Sequence, residues 1–268
     1  MDFYLDQQIK KYFCASQPLF DQLMALRGDC FRHQKGRLTQ RIKLGDCIYF
    51  IKQHHGVGFK EIIKNMIQGR WPVISAKNEW RAIEKLQALH VSVPKIFAYG
   101  QRGLNPARKQ SFILMEALSP TISLEEVCKT WKIQAPAFRL KKKLLEQVAQ
   151  IAKTLHEHGI NHRDFYLCHF LLDMTNGREN ILTQPLKLSL IDLHRTQIRK
   201  QTPLRWKIKD LASLLFSSKE AALTQRDFYR FMKIYDDKSL REIIHLNGPF
   251  WQKVKNRGNT YCDHTQRK

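Results

Sequence analysis

Acid is scarce in this chain. Its 268 residues carry 24 Asp and Glu against 46 Lys and Arg, a formal charge of +22. A field of that sign repels other cations and draws polyanions: nucleic acid, an anionic membrane surface, a phosphorylated glycolipid or a very acidic protein. Long apolar runs are missing too. No stretch approaches the roughly 20 apolar residues of a spanning helix, so any membrane role is expected to be peripheral. The first residues, MDFYLDQQIKKYF, mix acids with apolar residues and have no apolar core, which predicts no signal peptide. The six cysteines never fall in a C-x-x-C spacing, and a chain of this length needs no disulfide framework. They are expected to be reduced packing thiols. Cys30 with His33 and Cys262 with His264 are isolated pairs and predict no metal site. Neither internal repeats nor low-complexity tracts are present.

What remains is globular in composition, with 43% hydrophobic and 10% aromatic residues, enough to bury a core. Residues 1–26 read as a helical or irregular lead-in. Between Asp29 and Gln53, turn signals at Gly36 and Gly45-Asp46 divide two or three antiparallel strands, the last ending on Lys52. Residues 54–78 look like an insertion. Phe59, Ile62, Ile63, Met66 and Ile67 recur there at helical spacing, with Lys60, Lys64 and Arg70 nearer the polar side and Trp71-Pro72 following. Such a basic amphipathic helix suits an anionic lipid surface, or is a surface helix with one core-facing stripe. A helix over Lys77–Leu89, strands over Val93–Tyr99 and Ser111–Leu118, and a change of character at Pro120 and Glu125-Glu126 complete the first half. One long helix is predicted from Phe138 to Gly159, its left-handed stop. Lys187–Leu193 reads as a strand ending in Asp192. The rest is helical from Trp206 and frayed from Lys255.

The stretch LHEHGINHRDFYLCHFLL, Leu155–Leu172, runs an amphipathic helix into a polar loop and then an apolar strand. It sets Asp164 on a loop braced from both sides, where a carboxylate can meet a substrate hydroxyl. In chain order the other polar candidates are Lys52 on a strand, Glu79 on a helix and Asp192 at a strand end.

This order resembles the protein-kinase superfamily. YFIK looks like the strand lysine, NEWRAIEKL like the helix with its glutamate, FILMEAL like the hinge strand, INHRD like the catalytic loop and LIDLH like the metal-binding aspartate. The resemblance implies an α+β, two-lobed kinase-like fold: an antiparallel-sheet lobe over 1–115 and a mainly helical lobe over 116–268. It implies ATP and Mg²⁺ as cofactors. Lys52 would hold the nucleotide phosphates with Glu79 as its partner, and Glu84 is the rival on the same helix. Gly36, Glu116 and Leu118 would line the nucleotide site. Asp192 would carry Mg²⁺, Asp164 would take the acceptor proton, and Asp210 would brace the loop. Phosphoryl transfer asks mainly for such positioning and charge neutralisation.

Departures narrow the acceptor. Only Gly36 stands where kinases have a glycine-rich loop, and His169 replaces the asparagine five residues past the catalytic aspartate. Histidine suits a hard ion poorly, so His169 is a weak second metal ligand. Only 17 residues separate Asp192 from Asp210, little room for a peptide-docking segment. Within the superfamily, HGVGFKEIIKN, KNEWRAIEKL, YGQRGLNPARKQSFILMEAL, INHRDFYLCHFLL, LSLIDLHR and RWKIKDLASL are similar to the lipopolysaccharide core heptose(I) kinase family. That resemblance implies transfer from ATP to the first heptose of the inner core, at the cytoplasmic face of the bacterial inner membrane. The acceptor would be a lipid-anchored saccharide bearing phosphates and carboxylates. Lys60, Lys64, Arg70, Arg163, Arg195, Arg199, Lys200 and Arg205 are the candidate acceptor cations, and a small acidic protein is a further candidate partner. The alternatives are a kinase of another anionic glycan or of protein, and a basic kinase-like scaffold for RNA or an acidic protein. Intact Lys52, Asp164 and Asp192 argue against the scaffold, and nucleic acid is not the expected partner.

Overall fold

The structure is a computed structural model that describes residues 2–34, 36–67, 73–175, 177 and 185–266. The chain divides into two compact units, residues 1–85 with 94–118, and 86–93 with 119–268. The division falls after Leu118 rather than at 115, and residues 86–93 group with the second unit.

The first unit holds β1 (Asp2–Leu5), α1 (Gln7–Lys10), α2 (Leu19–Ala25), β2 (Asp29–Gln34), β3 (Arg37–Leu44), β4 (Cys47–His54), α3 (Phe59–Ile67), most of α4 (Lys77–Ala88), β5 (Ile96–Arg102) and β6 (Gln110–Glu116). Its strands form one six-stranded sheet in the order β1-β5-β6-β4-β3-β2, antiparallel throughout. Strand periodicity sorts the side chains of β4. Tyr49, Ile51 and Gln53 are buried, and Tyr49 and Ile51 pack with Ile9, Phe20, Leu23 and Met24 of α1 and α2. The buried amide of Gln53 donates to the carbonyls of Leu23 and Met24, satisfying the open end of α2. Lys52, one residue out of phase, points to the opposite face.

The lead-in predicted for residues 1–26 is more ordered than its composition suggests. Asp2–Leu5 forms an edge strand on β5, a pairing nearly a hundred residues distant that no local pattern announces. The predicted strands at 93–99 and 111–118 are shifted to Ile96–Arg102 and Gln110–Glu116.

The second unit holds β7 (Thr121–Ser123), α5 (Leu124–Cys128), α6 (Phe138–Glu157), β8 (Ile160–Asn161), β9 (Phe170–Asp173), β10 (Leu188–Leu190), β11 (Gln197–Ile198), α7 (Leu204–Ser217), α8 (Gln225–Asp236) and α9 (Leu240–Gln266). Small sheets, β10-β9-β7 and β11-β8, frame the loops between α6 and α7. Leu144, Leu145, Val148, Ala152 and Leu155 bury one stripe of α6. Gly159 ends it with φ +76°, and a Cβ there would sit 1.8 Å from the Arg199 carbonyl oxygen, so only glycine fits. The tail predicted to fray from Lys255 is helical through Gln266. Buried Trp251 and Val254 anchor α9, and Arg257 donates to the Tyr261 hydroxyl across one turn. Gly248 and Pro249 masked that helix in the sequence.

Of the cysteines, Cys128 is buried, and burial pushes its thiol up to about 12. Cys14, Cys30 and Cys47 are exposed, so packing does not account for them.

Candidate functional site

In the first unit, β4 delivers Lys52 and α4 delivers Glu79. The Lys52 Nζ lies 2.6 Å from Glu79 Oε1, and the Glu79 side chain is 2% exposed. Two contacts fix α4 against the sheet. Trp80 stacks on Tyr99 at 4.6 Å, and the Ala76 N–H donates to the buried Ser111 hydroxyl on β6. Glu84, the rival on the same helix, interacts with Tyr99 instead and helps raise the Tyr99 hydroxyl above its usual range, after burial.

Gly36 sits in the β2–β3 turn with φ +74°. A Cβ there would stand 2.2 Å from the Gly56 carbonyl oxygen, so close backbone approach requires the glycine. The Glu116 carboxylate accepts from the Lys95 N–H at 2.8 Å, which pins β6 to the segment leading into β5. Leu118 ends the unit. Lys60 and Lys64 are exposed on α3, and Arg70 with Trp71 and Pro72 lies outside the described residues.

In the second unit, Asp210 of α7 is fully buried beneath the His162-Arg163-Asp164 loop. Its Oδ2 accepts from the His162 N–H at 2.7 Å and its Oδ1 from the Arg163 N–H at 2.9 Å. The same carboxylate has His156 Nε2 at 3.5 Å, and His156 Nδ1 is 2.7 Å from the Tyr235 hydroxyl. One donor direction satisfies that chain: Tyr235 O–H to Nδ1, then Nε2–H to Asp210. Burial holds the His162 imidazole below its ordinary range, so it is neutral and donates from Nε2 to the Ile191 carbonyl at 3.0 Å. Sequence reading missed His156 and Tyr235. A histidine in phase with the apolar stripe of α6 was the available signal.

This bracing puts Asp164 in contact with Arg195, whose guanidinium lies 2.8 and 3.1 Å from the two carboxylate oxygens. Asp192 follows β10 at φ 60°, ψ 49°, and Arg163 has φ 74°. Each is a non-glycine residue held in the left-handed region, a strain that clusters at functional sites. The predicted strand thus stops at Leu190, two residues short of Asp192.

His169 lies between the two aspartates. Its Nδ1–H donates to the Asp164 carbonyl at 2.7 Å, and its Nε2 lies 3.6 Å from Asp192 Oδ2. His194 Nδ1 meets Asp192 Oδ1 at 2.6 Å. Among the described residues no cluster of three His, Cys, Asp or Glu could hold a metal ion unaided. One carboxylate is nevertheless a fit for Mg²⁺ bound chiefly by nucleotide phosphates and water.

The candidate acceptor cations divide by partner. Arg199 is committed to Asn161 and Gln197, both at 2.6 Å, tying the end of β11 to β8. Arg163, Arg205 and Lys209 surround the Trp206 ring at 5.0, 5.4 and 5.5 Å. Burial, then the nearby Arg195, works against the charge of Arg163, and burial also lowers the Lys209 ammonium. Lys200 is exposed. Trp206 and Lys209 were not singled out from sequence, although both stand in the quoted RWKIKDLASL block.

A carboxylate on a braced loop, a second in a strained turn and a surplus of cations beside them suit transfer of a phosphoryl group to a hydroxyl on an anionic acceptor. Residues 21–235 match the Lipopolysaccharide kinase (Kdo/WaaP) family. The chain is 44% identical over 250 residues to lipopolysaccharide core heptose(I) kinase WaaP of Escherichia coli K12, covering 93% of each. It is 41% identical over 244 residues to the Pseudomonas aeruginosa PAO1 protein of the same name, covering 91% of this chain and 90% of that one. A solved structure of "WaaP in complex with acyl carrier protein" aligns with a TM-score of 0.84 at 35% identity, over 97% of this chain and 99% of that one. The kinase-like α+β fold expected from sequence is borne out by that alignment. With most of its length matched by family and relatives alike, this chain belongs to the Lipopolysaccharide kinase (Kdo/WaaP) family.

Proposed function

We propose that this chain is an ATP-dependent kinase that phosphorylates heptose I of the lipopolysaccharide inner core. The observation that carries the reading is Asp164, on a loop whose N–H groups are clamped by buried Asp210, in a chain of this family. Asp164 accepts the proton of the attacking sugar hydroxyl as the oxygen–phosphorus bond forms, and ADP leaves as the bond to the γ-phosphorus breaks. Lys52, held by Glu79, binds the donor phosphates. Asp192 is the residue that would hold Mg²⁺, which neutralises phosphate charge when bound. His169 donates its Nδ1–H to the Asp164 carbonyl, which leaves the Nε2 lone pair on the Asp192 side as a second, weaker ligand for that hard ion. Arg163, Arg205 and Lys209 around Trp206 supply positive charge for an acceptor rich in phosphate and carboxylate. Incubation with γ-labelled ATP and dephosphorylated core lipopolysaccharide should label the saccharide, and Asp164→Ala should lower the rate at least about 10²-fold. Equal labelling by that variant would remove the assignment.

Two partners follow from the charge. An anionic membrane surface is one, since the acceptor is lipid-borne and the work is done at the cytoplasmic face of the inner membrane. An acyl carrier protein, a small acidic protein, is the other; it fits a charge of +22 and the solved relative's complex. The second unit also contains an apolar cavity of about 370 Å³, lined by Leu144, Leu211, Leu214, Phe228, Phe231 and Trp251, of a size and polarity for an acyl chain. Calorimetry with acylated and unacylated carrier tests this: the acylated form should bind more tightly, and added salt should weaken both.

A further inference from the structure

We infer that α3 is the membrane-docking element of the first unit, lying flat on an anionic bilayer. Phe59, Ile63 and Ile67 stand on successive turns of one helical face and are 58%, 54% and 81% exposed. Three large apolar side chains aligned in water on one short helix mark an interaction surface rather than chance exposure. Lys60 and Lys64 are exposed along the border of that stripe, and with Ile63 and Ile67 they line one shallow concavity. Ile62 is only half-buried and lies on the other border of the stripe, so the helix turns its Phe59–Ile67 line outward.

The root of the helix is fixed. Gly58 N–H donates to the Ala107 carbonyl at 3.0 Å and His55 N–H to the Gly36 carbonyl at 2.9 Å. Gly56, at φ +87°, approaches Ala107 so closely that a Cβ would meet its carbonyl oxygen at 2.5 Å. Apolar side chains are thereby offered to solvent from a rigid base instead of collapsing onto the sheet.

Charge and size decide the occupant. Lysines bordering an apolar stripe match the boundary between acyl chains and anionic headgroups, where apolar side chains sink and ammonium groups snorkel outward. At nine residues the helix is about 14 Å long, too short to span and of a length to lie in the interface. It also offers far less than the ~800 Å² per partner of a stable protein interface. This docking rests on the reading of the acceptor as lipid-borne, since it would bring the enzyme to its substrate.

The test is co-sedimentation of the full chain with phosphatidylcholine vesicles, with and without about a third phosphatidylglycerol. Wild type should partition at least about tenfold better to the anionic vesicles, and Phe59→Ser/Ile63→Ser/Ile67→Ser should lose at least about tenfold of that binding. The same triple variant should keep its kcat/KM on a soluble, deacylated core oligosaccharide. Because these side chains are exposed, the single variant Ile67→Asp serves as a second probe that should fold like wild type and still lose binding. Unchanged vesicle binding by these variants overturns the proposal, as does absence of binding by wild type. Loss of binding to an acidic carrier protein with vesicle binding intact would reassign the face to a protein. Vesicle binding needs no phosphoryl transfer, so failure of the kinase reading would show separately, as no labelling of any acceptor.

Discussion

Arg195 reaches across 31 residues to place one guanidinium nitrogen against both carboxylate oxygens of Asp164, at 2.8 and 3.1 Å. Such a contact fixes the carboxylate plane while leaving lone pairs on each oxygen for a hydroxyl. On the proposed function, in which Asp164 is the base, Arg195 is its positioning residue. Arg195→Ala should lower kcat about ten- to a hundredfold, with the KM for ATP little changed, because orientation rather than donor binding is lost. Arg195→Lys should restore part of the rate. Steady-state kinetics with ATP and acceptor varied separately decides it; a rise in acceptor KM alone would assign Arg195 to the saccharide.

The Lys52–Glu79 pair separates stability from function. Lys52→Met leaves the Glu79 carboxylate in a site where it is 2% exposed. An uncompensated buried charge is destabilising by about 3 kcal/mol, less here because Lys52 is partly solvated. Lys52→Met/Glu79→Gln should recover most of that stability in thermal melts yet remain as poor as the single variant in ATP binding. A double variant that recovers nothing would mean the loss came from packing of the lysine stem.

Asp210 satisfies two backbone donors at once, one buried and one half-buried. Asp210→Ala orphans the N–H groups of His162 and Arg163 and should cost about 3 kcal/mol, at about 1–3 kcal/mol for each unsatisfied group. Asp210→Asn keeps one acceptor and should cost less. Tyr235→Phe removes the donor to His156 Nδ1 and should cost about 1 kcal/mol. Urea unfolding measures all three, and equal costs for the Ala and Asn variants would refute the clamp.

What could be read in advance was chemistry carried by residue type in local order. His162-Arg163-Asp164 after an amphipathic helix, a strand lysine and a helix glutamate are all visible without coordinates, as is the Gly159 stop. What could not be read were pairings set by tertiary distance. Arg195 looked like one acceptor cation among eight, and only the fold shows it on Asp164. Arg199 looked like another and is bound to Asn161 and Gln197. His169 looked like a poor metal ligand, and only the fold shows its Nδ1–H on the Asp164 carbonyl with Nε2 3.6 Å from Asp192. The edge strand Asp2–Leu5 depends on β5 for its hydrogen bonds, and so carries no signal of its own.

Asp227 makes stability depend on acid. Burial would raise this carboxyl, but Lys141 at 2.8 Å and the Thr224 N–H and O–H at 2.9 and 2.8 Å outweigh that and hold it at about 2. In the unfolded chain an aspartate titrates near ~3.9, so on acidification the unfolded form binds its proton first. The stabilisation is therefore complete above about pH 4, amounts to about 2 kcal/mol, and is lost as pH falls through 2. Asp227→Asn should be less stable than wild type by about that amount at pH 7, and the gap should close progressively in urea unfolding at pH 4, 3 and 2. A gap of constant size across that range would mean that Asp227 acts by its shape in the Thr224 cap and not by its charge.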